Sequence, residues 1–480
     1  MKLQDQLHGI LDHLSLASTE TTLMLGASVL LLAGLIWRKL VVDKVLFGAI
    51  LLIALVFNLR ILEGGYYLSD SLYADFESIS LASLFLIFGV FTLVFPREKH
   101  STEYYFLVLA LLTGSIFMMK ANSFLMVYLS IELVSFVSYL LTGFSFSKKG
   151  FEASIKYLLL GALSSAILLI GLGLVYGTTQ SFLFSDWANA PFTNLLSQVG
   201  LLFVVLGIFF KISIFPFHLW TPATYQTAPV DAVTLFSVVP KIAGLLLLKR
   251  ALTSASLDFD HWTTSIILLL GIATIAVGTL GALRQSNTRR MISFGSIAHS
   301  GFLLGFVIVP APLYNPEAFW WYVVVYAVMN LGAFYLIDRF ESINIIKNED
   351  YAKARSEVWV GVMFSILLVS LVGLPPFAGF TAKLFLFSSL WNAYEATEST
   401  LLMVFLMVAV LATVASLFFY LQVPKKVFLP EKGEEEAEMS TGLLFETKIL
   451  ATIFGITLLL LFLIPRLVMS LQSLLHNVHE

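Results

Sequence analysis

The stretch Phe209-Phe210-Lys211-Ile212-Ser213-Ile214-Phe215-Pro216-Phe217-His218-Leu219-Trp220 decides how the chain is read. Lys211 is the only Asp, Glu, Lys or Arg between Asp186 and Asp231, and it follows the apolar run Val199 to Phe210. A lysine at bilayer depth costs about 2.5–3.5 kcal/mol on insertion scales, so it is by default a candidate for function. Five residues on, Pro216 removes a backbone donor and its ring clashes with the preceding turn, so the helix should break close to the charge. Membranes tolerate such breaks where the freed backbone is buried in protein or lines a wet cavity. Taken alone, Lys211 also reads as a side chain snorkelling to the interface from a helix end. Three further isolated charges weigh against that reading.

Outward from this stretch the chain is apolar nearly throughout. It is 58% hydrophobic and 12% charged over 480 residues, against roughly 45–50% and 25% in soluble domains. Mean hydropathy is +0.90. A helix needs about 20 apolar residues to cross a bilayer. Fourteen such spans are expected, centred near Leu30, Leu52, Ile87, Leu111, Val134, Leu168, Leu206, Lys241, Leu270, Leu303, Val325, Leu371, Val410 and Leu459. The fold class is an all-α polytopic membrane protein, one integral membrane domain over residues 1–480 with no strands and no soluble domain. The longest charged segments are Asp338 to Glu357 and Pro424 to Glu438. With no cysteine, disulfides, thiolate metal sites, Cys-ligated iron–sulfur clusters and cysteine catalysis are excluded. A net charge of −3 gives no reason to expect nucleic acid. Met1 to Leu16 carries charges throughout and lacks an apolar h-region, so no cleaved signal peptide is expected.

Lysine and arginine set the orientation. With the N-terminus outside, nineteen of them fall in odd-numbered loops and six on the other side, among them Lys120, Lys249 and Arg250. Cytoplasmic loops are the ones that carry such an excess. Both termini are therefore expected on the periplasmic side of a bacterial inner membrane.

The isolated charges come next. Glu132 is the only acidic or basic residue between Lys120 and Lys148, in the fifth span. Lys241 sits in mid-span eight, beside Pro240. Lys383 is the sole charge between Glu357 and Glu395, in Gly373-Leu374-Pro375-Pro376-Phe377-Ala378-Gly379-Phe380-Thr381-Ala382-Lys383, whose double proline should break span twelve. His218 and His299 lie in similar apolar settings, although a lone buried histidine is more often a satisfied structural group. Together these groups read as a horizontal relay, since each can gain and lose a proton. Desolvation lowers an amine's pKa by up to about 3–5 units and a neighbouring carboxylate raises it again, so moving the carboxylate switches the amine. Arginine could not serve, because it does not deprotonate in proteins. The two candidates Glu132 and Lys211 are expected to face each other across spans five and seven.

Spans seven and twelve, both proline-broken with an isolated lysine, lie five spans apart. An odd offset predicts inverted repeats, residues 104–254 against 262–422, with 1–103 and 423–480 as flanking helices. The lysine precedes the proline in one copy and follows it in the other.

At these residues the chain resembles the antiporter-like membrane subunits of respiratory complex I, the proton-pumping NADH:quinone oxidoreductase. The matching stretches are Glu152-Ala153-Ser154-Ile155-Lys156-Tyr157, Phe210-Lys211 with Pro216-Phe217-His218-Leu219-Trp220-Thr221-Pro222, Lys241-Ile242-Ala243, Ser296-Ile297-Ala298-His299, and Gly373-Leu374-Pro375 with Gly379-Phe380 and Lys383. Two features resemble the sister subunit called N: the chain ends after the fourteenth span, and span twelve carries Lys383 where subunit M has a glutamate. The resemblance implies Glu132 as modulating carboxylate, Lys211 as switch, Lys241 as central relay and Lys383 as terminal donor. His218 and His299 fall where relatives often carry a polar group. Lys156 matches too, but with Glu152 one turn earlier it also reads as an i,i+4 surface pair. The resemblance further implies a translocase subunit without a redox cofactor of its own, with flavin and iron–sulfur clusters on partner subunits. Its partners would be the other membrane-arm subunits, the lipid bilayer and protons, with no nucleic acid and no metal. An Mrp-type sodium/proton antiporter subunit is the rival reading, for which extra mid-membrane carboxylates would be expected.

Overall fold

A computed structural model describes residues 15–37, 40–61, 64–95, 100–189, 194–255, 262–429 and 445–465. Thirteen of the expected spans are single helices long and apolar enough to cross a membrane. They are Ser18–Trp37, Leu40–Leu59, Phe76–Phe91, Thr102–Lys120, Phe124–Gly143, Lys148–Thr179, Leu195–Ile212, Val230–Ser254, Trp262–Leu283, Thr288–Val307, Pro316–Ser342, Thr400–Tyr420 and Phe445–Leu463. Span twelve is the one expected position without such a helix, being two pieces, Val358–Val372 and Ala378–Thr397. Span seven ends at Ile212 and resumes only as the short helix Trp220–Thr227. Of the charged loop Pro424–Glu438, the described part ends at Leu429, one residue past the helix Gln422–Phe428. The remainder lies outside the described residues.

The described residues form two compact units, residues 15–212 with 227–255, and residues 213–226 with 262–465. In the first, span eight is buried along its whole apolar length, and spans four and seven pack on it. A helix buried on all sides belongs inside the molecule rather than at its lipid face. In the second, spans ten and eleven are the most buried.

One expectation fails. The connection between spans two and three contains a two-stranded antiparallel hairpin, Gly65–Tyr67 with Leu72–Ala74, Tyr66 pairing with Tyr73. Its turn places Leu68, Ser69 and Asp70 in the left-handed region, where glycine or asparagine is usual. The sequence therefore lacks the ordinary turn signal. The hairpin leads into Asp75, whose carboxylate accepts from Ser78 N–H at 2.8 Å while Ser78 Oγ accepts from Asp75 N–H at 3.0 Å. This reciprocal cap starts span three by satisfying orphan donors of its first turn.

Candidate functional site

In the first unit Lys211 lies in the last turn of the span-seven helix. The helix stops one residue later, and Ser213 takes a left-handed φ of 61°. The unbonded carbonyls of a helix end favour a cation there. The Lys211 amine is buried and meets no hydrogen-bond partner among the described residues. Three rings surround it instead. Nζ lies 5.9 Å from the Tyr139 centroid, 5.6 Å from Tyr157 and 5.9 Å from Phe210. Desolvated cation–π contacts of this kind are each worth about 2 kcal/mol or more.

Glu132 does not touch Lys211. Its carboxylate accepts a hydrogen bond from Ser165 Oγ on span six, and its charge reaches Lys211 only through space. The two are not joined by an ion pair among the described residues, and aromatic side chains surround the amine. Tyr139 lies seven residues beyond Glu132, two helical turns along the same face. That spacing was the available signal.

Lys241 is buried in span eight, whose helix runs through Pro240 without interruption. Pro240 has no N–H, so the Phe236 carbonyl, one turn before it, loses its usual donor. Spans seven and eight touch one turn away: a Cβ built on Gly244 would lie 3.8 Å from Lys211 Cβ. Lys156 and Glu152 form an ion pair at 2.5 Å with both side chains 61% exposed. That is the surface pair of the blander reading.

The second unit holds Lys383, His218 and His299. The chain leaves the first half of span twelve at Gly373, with φ 89°, and its N–H bonds Val369 O at 3.1 Å. Lys383, on the second half, sends its amine back to the end of the first, donating to Val372 O at 2.7 Å and Leu371 O at 3.1 Å. The Phe302 ring lies 5.1 Å from Nζ. The sequence puts the lysine after the proline here and before it in span seven. In space both lysines serve the C-terminal end of an interrupted helix. The return is close: a Cβ on Gly379 would fall 1.7 Å from Ser370 O, so no other residue fits.

His299 is buried, its Nδ1 at 2.8 Å from Tyr322 Oη. Ser296, one turn earlier, meets Tyr326 Oη at 2.9 Å. His218 is buried in the span-seven break, stacked on Phe215 at 5.7 Å, with Nδ1 lacking a hydrogen-bond partner among the described residues. Thus Glu132, Lys211 and Lys241 share the first unit, and His218, His299 and Lys383 the second. No group of three or more His, Cys, Asp or Glu able to hold a metal occurs among the described residues.

Two buried charge clusters escaped the sequence reading. Lys120, counted there as a loop residue, is buried and pairs with Glu20 at 2.8 Å, and Tyr67 Oη donates to the same oxygen at 2.9 Å. At the ends of spans two, four and eight, His100 Nε2 lies 2.8 Å from Asp231 Oδ2, and Asp43 accepts from Thr102 Oγ1 at 2.8 Å. Each charge sits at a span end, where a sequence gives no sign of which side it faces.

Residues 121–413 match the family described as NADH:quinone oxidoreductase/Mrp antiporter, transmembrane. The chain is 31% identical to the NADH-quinone oxidoreductase subunit N of Parvibaculum lavamentivorans, over 94% of each chain. It is also 31% identical to the subunit N of Wolbachia sp. subsp. Brugia malayi, over 96% of this chain and 97% of that one. A chain in the structure of respiratory complex I from Thermus thermophilus with bound aureothin superposes with a TM-score of 0.80 at 27% identity, over 94% of this chain and 98% of that one. A chain of the Mrp complex from Dietzia sp. shares the fold, with a TM-score of 0.82 at 19% identity over 97% and 98%. With its span-seven and span-twelve lysines at interrupted helix ends and these relatives along its length, the chain belongs to the NADH:quinone oxidoreductase/Mrp antiporter family, among the subunits N of NADH-quinone oxidoreductase.

Proposed function

We propose that the chain is a proton-translocating membrane-arm subunit of an NADH:quinone oxidoreductase, a non-redox member of a translocase assembled with other membrane subunits. The observation that carries this is the placing of Lys211 and Lys383: each is buried, and each serves the C-terminal end of an interrupted helix. A lysine held there can store a proton against desolvation and release it when a nearby charge moves. Glu132 is that movable charge for Lys211, Lys241 passes the proton on, and Lys383 is the terminal donor. His218 and His299 extend the relay, His299 through Tyr322. Residues 104–254 and 262–422 act as inverted repeats. Flavin and iron–sulfur clusters belong to partner subunits. The Lys/Arg bias supports a bacterial cytoplasmic membrane with both termini periplasmic.

Isolated from its native membrane, the chain should carry NADH:quinone activity with it. The reconstituted complex should build a proton gradient in sodium-free buffer. Pumping that required sodium, with no associated NADH oxidation, would favour the Mrp-type antiporter instead. A cysteine replacing Ser399 should react with an impermeant thiol reagent added to intact spheroplasts. Protection there would reverse the orientation.

A further inference from the structure

We infer that His100, Asp231 and Asp43 form a proton-loading station that charges Lys241 through the hydroxyls of Thr234 and Ser237. This rests on the proton-translocating reading above and adds to it the entry to Lys241.

The observation is a stripe on span eight. From Asp231 to Lys241 the chain reads Asp231-Ala232-Val233-Thr234-Leu235-Phe236-Ser237-Val238-Val239-Pro240-Lys241. Every polar side chain in it falls at a spacing of three or four residues, which puts all four on one face of the helix. At 1.5 Å rise per residue, the steps are about 4.5, 4.5 and 6 Å along the axis, about 15 Å in all. All four residues are buried. The hydroxyls spend their protons on their own helix, Thr234 on Val230 O at 2.8 Å and Ser237 on Thr234 O at 2.7 Å. Their oxygens stay able to accept. A helix buried on all sides has no need of such a stripe, since apolar residues would pack there without hydrogen-bonding demands.

The stripe begins at groups that exchange protons. His100 is 6% exposed, Asp231 3% and Asp43 4%, so these are buried titratable groups rather than a solvated patch. Tyr104 stacks on the imidazole at 3.8 Å, and Tyr105 meets it edge-on at 6.1 Å. Asp43 comes from span two, and Tyr105 feels the charge of both carboxylates. Glu103 of the same helix as the tyrosines is exposed. Among the described residues no lysine or arginine pairs with Asp43 or Asp231. Neither carboxylate is fully satisfied: Asp43 Oδ1 has no donor among the described residues, and Asp231 Oδ2, though 2.8 Å from Nε2, is not aligned for a hydrogen bond. Two acids and one imidazole thus stand together, buried, with hydrogen-bonding capacity to spare. By the Lys/Arg bias this end of the unit faces the cytoplasm, the side from which protons must enter.

The transfer balances simply. Water on the cytoplasmic side gives a proton to the His100–Asp231 pair. With a bridging water across each step longer than a hydrogen bond, each hydroxyl turns from its own-helix carbonyl, accepts one proton as it passes its own forward, and the Lys241 amine becomes an ammonium. The hydroxyls end unchanged.

The test uses the assembled complex in vesicles, with pH varied on the cytoplasmic face alone. His100→Gln and Asp231→Asn should each lower pumping on the order of 10²-fold, the scale of losing one positioned proton-transfer group. They should also flatten its dependence on cytoplasmic pH. Thr234→Val leaves the titrating groups in place, so it should lower the rate while preserving the pH profile. Should the first two variants assemble poorly, Thr234→Val and added imidazole with His100→Ala decide the matter, rescue being the expected result. Wild-type pumping with an unaltered profile in these variants, or no rescue, while Lys241→Ala abolishes pumping, overturns the loading station and leaves the translocase reading intact. Normal pumping in Lys241→Ala would overturn that reading itself.

Discussion

Lys211→Ala is expected to bring coupled proton pumping in the assembled enzyme to background, a loss on the order of 10²-fold or more, with the complex still assembled. The amine sits among Tyr139, Tyr157 and Phe210, so truncation leaves an apolar cavity rather than a stranded charge. Glu132 stands apart, held by Ser165, and acts on the amine through space. Glu132→Gln should therefore cost nearly as much pumping, because the switching charge is gone. Glu132→Asp should keep much of it, since a through-space effect tolerates one methylene of displacement. The double variant Glu132→Gln with Lys211→Ala should lose little beyond Lys211→Ala, as expected of two groups acting as one unit. Proton uptake by vesicles, normalised to complex content, decides it. Fully additive losses would mean that the two work independently.

Lys383→Arg is the second large effect. The guanidinium keeps the charge and can reach Val372 O and Leu371 O, which now accept from the amine at 2.7 and 3.1 Å. It cannot deprotonate. Assembly should therefore be preserved while pumping falls on the order of 10²-fold. Lys383→Ala should lose pumping as well, and should also loosen the span-twelve break by freeing those two carbonyls. Blue-native gels for assembly, beside pumping assays, separate the two outcomes. Normal pumping in Lys383→Arg would show that this residue need not release a proton.

The spans were legible because their apolar runs are long, and the two breaks because proline cannot continue a helix. Lys211 and Lys383 stood out as single charges far from any other along the chain, and Lys241 as a lone charge in mid-span. What surrounds each amine was not legible. Tyr139 and Tyr157 look like ordinary apolar filling in a membrane helix, and nothing along the chain distinguishes a ring facing a lysine from one facing lipid. Glu20 and Lys120 were hidden for the opposite reason: each sits at a span end, where charges are common. The hairpin was missed because Leu68, Ser69 and Asp70 adopt backbone angles that their types seldom take.

The Glu20–Lys120 contact joins partners 100 residues apart, with Tyr67 on the same carboxylate oxygen. In the growing polypeptide the acid emerges first, and the base that pairs with it emerges only with the fourth span. Span one cannot complete its own surroundings, and neither can the hairpin that supplies Tyr67. For the insertion machinery, the smallest piece of this end of the molecule that can be handed to lipid as a finished object is therefore four spans, not one.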